Sequence, residues 1–245
     1  MKVAGRSILL GGRAIQITGM CKGAGMIGPH MATMLCVIMT DAALTPADAQ
    51  AALTAAADDS FNCISVEGHM STNDTMLLLA SAGATTVPLA GDDLQTFRQT
   101  LREVSIELAK QIPDDGEGAS HLISIEVNGC QSRGDARLIA QTIANSALVK
   151  TAVAGGDPNW GRIVSAAGYS GVKFDPAGVD LQLNGHKLYE SGAPLPFDAK
   201  TVSTSIRGQR ETSIILTLRE GSSSILFWTS DLTINYVKFN ADYTS

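Results

Sequence analysis

Residues 19–41 read GMCKGAGMIGPHMATMLCVIMTD, a Gly-rich approach with one cation, Lys22, that ends in Ala32 and Thr33 directly before a continuous apolar run. A threonine hydroxyl is a poor nucleophile near neutral pH unless a base takes its proton. One chemical solution makes the threonine the first residue of a chain, so that its own α-amine is the base. That amine titrates at about 7.7–8.0, close to working pH. The plain alternative is a strand-entry residue, and Lys22 alone reads equally as a solvated charge or as part of a phosphate cradle. The sequence contains no GxxxxGK[ST] P-loop. His30 stands three residues before Thr33, and His69, His121 and His186 show no metal-ligand spacing, so no metal is expected.

The elements around this segment alternate between strand and helix patterns. Residues 13–18 (RAIQIT) alternate polar and apolar as a half-buried strand, and 34–39 (MLCVIM) are a continuous apolar run of strand length. Thr45-Pro46 followed by ADAQAALTAAADD predicts a capped helix over 46–58. Residues 62–66 read as a short strand, and 76–80 as either strand or helix. Leu94, Phe97, Leu101, Val104 and Leu108 have helical spacing over 92–112, with Pro113 expected to stop the helix. A strand follows over 121–127 and a helix over 133–153. Asn184-Gly185 between 179–183 and 187–189 signals a hairpin, and a second hairpin is expected from 211–219 and 224–229. The expectation is one α+β domain: an α/β fold with mixed sheets packed with helices.

Composition sets the class. With 44% hydrophobic and 17% charged residues in 245, the chain folds rather than staying disordered. A net charge of −6 argues against nucleic-acid or anionic-membrane partners, which need a basic face. Cys21, Cys36, Cys63 and Cys130 are scattered without CxxC pairs, which fits a reducing cytoplasm and neither a zinc knuckle nor a disulfide framework. No apolar run reaches membrane-spanning length, and residues 1–10 lack the pattern of a secretory signal.

The segment KGAGMIGPHMATML (22–35) resembles the self-cleavage signature of the ornithine acetyltransferase, or bifunctional glutamate N-acetyltransferase, family. STNDTMLLLAS (71–81), DGEGASH (115–121), GGDPNWGRI (155–163) and SDLTINYVKFNADYTS (230–245) resemble the same family in the same order. The resemblance implies an arginine-biosynthetic precursor that cuts itself between Ala32 and Thr33. Residues 1–32 would then end an upstream alpha chain and 33–245 would form the beta chain. Thr33 would carry the acetyl group from N2-acetylornithine to glutamate. No cofactor is required, although acetyl-coenzyme A is an alternative donor for some members.

The resemblance also implies roles for single residues. Lys22 would hold a substrate carboxylate or favour the neutral amine of Thr33. Glu117 would hold the ornithine ammonium, and Asn240 and the terminal Ser245 would contact the substrate. The family uses no histidine base, so His30 reads as a loop residue. Asp157, Asn159, Trp160 and Arg162 receive no chemical step, and Asn73 and Asp74 read as an Asx turn. Members work as heterotetramers of two kinds of chain, and their oxyanion hole comes from a Thr-Gly pair upstream of the matched region. Two alternatives follow: a truncated, inactive or partner-dependent remnant, and an amidohydrolase with an N-terminal threonine.

Overall fold

Alternating burial builds the first sheet. In the computed structural model, which describes residues 1–25, 34–69 and 73–242, strands β1 (Lys2–Leu10) and β2 (Arg13–Lys22) pair antiparallel, with Leu10 opposite Arg13. Gly11 and Gly12, both at positive φ, make the two-residue turn that suits strand twist. Strand β3 (Leu35–Thr40) pairs antiparallel with the other side of β2, from Ile17 opposite Thr40 to Lys22 opposite Leu35. Helix α1 (Pro46–Asp59) begins as expected, with Thr45 Oγ1 accepting the Asp48 amide at 3.1 Å. The stretch read as a strand over 62–66 is instead a 3-10 turn, Phe61–Cys63, leading into the two-residue β4 (Ile64–Ser65). Strand β5 (Thr75–Ala80) runs parallel to β3, which settles the ambiguity over 76–80 in favour of strand.

Helix α2 (Gly91–Asp114) buries Leu94, Phe97, Leu101, Val104 and Leu108, the predicted stripe. It lies so close to β2 that a Cβ on Gly19 would sit 2.7 Å from Leu108 Cδ1. Pro113 does not stop this helix. It withholds one amide hydrogen bond in the final turn, and Arg210 captures the next residue, with Nε on Asp114 Oδ1 at 2.8 Å and Nη2 on the Asp114 carbonyl.

The chain divides into two compact units, Met1–Ile112 and Pro113–Ser245, where alternation suggested one domain. The second unit is built on β6 (Leu122–Cys130), whose near-continuous burial marks a central strand. The helix expected over 133–153 is two, α3 (Arg133–Ala144) and α4 (Ala147–Gly155). Ser146 breaks the run by capping the second, its Oγ accepting the Val149 amide at 3.4 Å. After α5 (Trp160–Gly168), β7 (Asp180–Leu183) and β8 (His186–Glu190) form the predicted hairpin, with Asn184 and Gly185 at φ 47° and 79°. Strand β9 (Ala193–Pro194), helix α6 (Ala199–Arg207), strands β10 (Glu211–Thr217) and β11 (Ser223–Ser230) and helix α7 (Ile234–Asp242) complete the chain.

The second expected hairpin does not form. Strands β10 and β11 flank β6, parallel on one side and antiparallel on the other. Their connection wraps the end of β6 at Gly129, whose carbonyl accepts both Glu220 and Gly221 amides at 2.9 Å. A Cβ there would lie 1.9 Å from Leu218 O, so only glycine permits the crossing. Within this unit the strands run β11-β6-β10-β7-β8-β9, and α3 packs on β6 and β11 over Ile123, Ile125, Val127 and Phe227. Both sheets mix parallel and antiparallel pairs, as the α/β reading expects. Among the described residues no helix is long and apolar enough to cross a membrane.

Cys21 and Cys36 face each other across β2 and β3, and burial pushes their thiols up, to about 11 and about 12 respectively. The unfolded chain loses these protons near pH 9, before the folded chain does, so their stabilising contribution is present at neutral pH and lost as pH rises towards 12. The denaturant midpoint should therefore fall above pH 9, and the fall should be shallower in a Cys21→Ala/Cys36→Ala variant. Alkylation of either thiol near neutral pH should require unfolding, as followed by intact mass.

Candidate active site

Glu117 sits in the loop between α2 and β6, which folds on itself through the Gly116 amide to Pro113 O at 3.2 Å and the Ala119 amide to Gly116 O at 3.0 Å. Gly118 takes φ +67°, and a Cβ there would lie 2.5 Å from the Tyr236 amide, so the loop backbone rests directly on the start of α7. Thr233 Oγ1 donates to Gly118 O at 2.7 Å and accepts the Tyr236 amide at 3.2 Å. One helical turn further on, Asn240 Nδ2 donates to Glu117 Oε2 at 3.1 Å and to Tyr236 O at 3.1 Å. Two residues picked out separately in the sequence are thus brought together. With both amide protons of Asn240 engaged, its Oδ1 and the second Glu117 oxygen are left as acceptors, a pair suited to an ammonium group.

Beneath this pair lies a cluster that sequence reasoning missed. Asp231, at the end of β11, has a side chain with no exposed surface. Its Oδ1 accepts the Ser120 amide at 2.8 Å, and its Oδ2 accepts Ser120 Oγ and lies 3.0 Å from His121 Nδ1. The other ring nitrogen of His121 is 3.2 Å from Ile206 O. A Ser, a His and an Asp meet here, yet Ser120 and Asp231 share one ring nitrogen and the other faces a backbone carbonyl. Proton relay through the ring to a substrate has no open end, so this is not a catalytic triad. Asp231 lies 110 or more residues from Ser120 and His121 in the chain, and no local pattern signals their meeting.

Lys22 is the exposed last residue of β2, and the register sets it opposite Leu35, two positions beyond Thr33. Ala32, Thr33, His30 and Ser245 lie outside the described residues. The neighbour of Thr33 is held tightly. Asp74 Oδ1 accepts the Met34 amide at 2.7 Å, and the Thr75 amide donates to Met34 O at 3.0 Å. The Asx turn expected at Asp74 is therefore a long-range tie across 40 residues. Burial raises the Asp74 carboxyl above its ordinary pKa, opposed by the Met34 amide, and Oδ2 is buried without a partner among the described residues.

The GDPNWGR segment makes a helix cap, hydrogen bonds and a ring stack. Asn159 Oδ1 caps α5 by accepting the Arg162 amide at 3.1 Å, and its Nδ2 donates to Asp157 Oδ2 at 3.1 Å. Trp160 stacks on Tyr189 with centroids 5.1 Å apart, and Arg162 Nη1 donates to Leu148 O at 2.9 Å. Among the described residues, no three His, Cys, Asp or Glu side chains are grouped to hold a metal ion.

Residues 1–245 match the ArgJ family from end to end. This chain belongs to that family. It is 45% identical over 247 residues to the arginine biosynthesis bifunctional protein ArgJ of Rhodopirellula baltica, covering 100% of this chain and 60% of that protein. It is 48% identical over 231 residues to the ArgJ of Dehalococcoides mccartyi, covering 94% of this chain and 57% of that one. The chain thus spans about three fifths of the length of these relatives. A crystal structure of the arginine biosynthesis bifunctional protein ArgJ from Bacillus halodurans superposes with a TM-score of 0.81 at 36% identity, covering 83% of this chain and 96% of that one. The ArgJ-family fold is therefore that of a protein named for arginine biosynthesis.

Replacing Gly118 by Ala puts a Cβ against the Tyr236 backbone at a φ that L-residues resist. Gly118→Ala should lower stability by about 1–3 kcal/mol in urea unfolding. An unchanged midpoint would mean that the loop and α7 do not touch as described.

Proposed function

We propose that this ArgJ-family chain carries the acetyl-transfer chemistry of arginine biosynthesis, taking acetyl from N2-acetylornithine and delivering it to glutamate. The observation that carries this reading is the Glu117–Asn240 pair, which offers acceptors for the ornithine ammonium at the positions the family resemblance picks out.

The Oγ of Thr33 attacks the Ala32 carbonyl, the acyl group shifts from nitrogen to oxygen, and water opens the ester. Thr33 then heads a chain and its α-amine is the base. The amine takes the hydroxyl proton as Oγ attacks the acetyl carbonyl, and returns it to the departing ornithine nitrogen. The acetyl group rests on Oγ as an ester until the glutamate amine attacks it, so a hard amide exchange becomes two easier steps. Each step develops an oxyanion, and its donors come from sequence that the longer relatives carry beyond the matched three fifths. Lys22 holds a substrate carboxylate, Glu117 and Asn240 hold the ammonium, and the hydroxyl of Ser245 adds a contact. Working partners are an upstream chain and a second copy of the pair.

The position of the cut supports cleavage: it falls in the connection 23–34 between paired strands, so both products stay in one sheet.

The test is intact mass of the chain produced together with the family's upstream portion, before and after N2-acetylornithine. A species that begins at Thr33 and gains one acetyl is expected, and Thr33→Val should lose both events. Glu117→Gln should cut cleanly yet bind ornithine ~10- to 100-fold more weakly, the worth of one hydrogen bond to a charged group. An uncut, unacetylated chain in that preparation defeats the proposal.

A further inference from the structure

The helix that carries Asn240 is not held by a hydrophobic core. None of the residues of α7 is buried, and Ile234, Val237 and Phe239 are exposed. The loop that carries Glu117 is also half-exposed. Something other than apolar burial must set the distance between the two side chains.

The polar contacts converge on one residue. The Asp231 amide donates to His121 O at 3.1 Å, joining the end of β11 to the start of β6. Its fully buried carboxylate gathers the Ser120 amide, the Ser120 hydroxyl and the His121 ring from the Glu117 side of the molecule. Two residues on, Thr233 Oγ1 fastens Gly118 O and caps the first turn of α7. A buried carboxylate satisfied by several donors has a single low-energy arrangement, because moving any donor strands a charge away from water. Loop and helix therefore share one rigid anchor.

We infer that Asp231 is a positioning residue for substrate: its buried carboxylate locks the 115–120 loop to the base of α7 and so sets the Glu117–Asn240 pair at ammonium-binding separation. Asp231 touches neither Glu117 nor Asn240, and it acts through Ser120, His121 and Thr233. The inference rests on the reading that Glu117 and Asn240 hold the substrate ammonium.

L-ornithine binding by calorimetry and amide hydrogen exchange, both on the whole chain in the same preparation as above, test it. Asp231→Asn keeps an acceptor for the Ser120 amide but loses the charge, and should weaken ornithine binding about tenfold, while Ser120→Ala weakens it about threefold. Exchange should quicken over 115–120 and 234–242 and stay slow in β6. In an Asn240→Ala background, Asp231→Asn should change binding by less than about twofold, because its effect passes through the missing amide. An Asp231→Asn protein with a protected β6 and unweakened binding overturns the inference. So does an equal loss in both backgrounds, the mark of general loosening. If Asp231→Asn fails to fold, Ser120→Ala decides, and unchanged binding there is fatal. If the unaltered chain binds no ornithine, the ammonium-site reading fails instead, and exchange alone then decides: unchanged rates at the loop and helix overturn the anchor.

Discussion

Six cross-strand pairs, from Ile17 opposite Thr40 to Lys22 opposite Leu35, hold the two ends of residues 23–34 at a fixed separation. Everything proposed for the first unit depends on that register. It separates chemical continuity from structural continuity, since all six pairs lie outside residues 23–34. The neighbouring strand reinforces it. Asp74 and Thr75 bind the amide and carbonyl of Met34, so the residue following Thr33 has both backbone groups satisfied from β5.

The second unit meets the same demand by other means. Its apolar order is concentrated in β6, β10, β11 and α3, where Ile123, Ile125, Val127, Ile139, Ile214 and Phe227 are fully buried. Glu117 and Asn240 lie outside that core, in a loop and in a helix with no buried side chain. Glycine mediates both close approaches: Gly129 lets the β10–β11 connection cross the end of β6, and Gly118 lets the loop backbone touch α7. Removing side chains at those two points brings distant segments within hydrogen-bond reach.

What was legible in the sequence divides along range. The Thr45 cap, the Asn184-Gly185 turn and the stripe from Leu94 to Leu108 are short-range signals, and each appears where it was expected. Failures occurred where a distant partner decides. Strands β10 and β11 look like a hairpin because they are close in the chain, yet β6, some 90 residues upstream of them, pairs with both. Strand β1 passed unnoticed because its order comes from pairing with β2 along its whole length. Asp74 read as a local turn and is a tie across 40 residues. For the candidate site, family resemblance named Glu117 and Asn240, but their mutual hydrogen bond and the buried Asp231 near them follow from topology alone.

A core of apolar contacts tolerates small shifts, whereas a site must keep two acceptors at one separation. A neutral hydrogen bond contributes only about 0.5–1.5 kcal/mol, too little for a single one to freeze an exposed helix. Four ties, from Thr233 to Gly118, Ser120 to Asp231, the Asp231 amide to His121 and Asn240 to Glu117, act on the same short stretch of backbone. Each one fixed reduces the freedom that the next must overcome, so together they order the loop more than their separate strengths indicate. Placing the anchor's charge in a fully buried carboxylate sharpens this further, since that charge has no solvated alternative to which it can relax. The free oxygens of Glu117 and Asn240 can then stay at the surface while their spacing is set by the buried carboxylate.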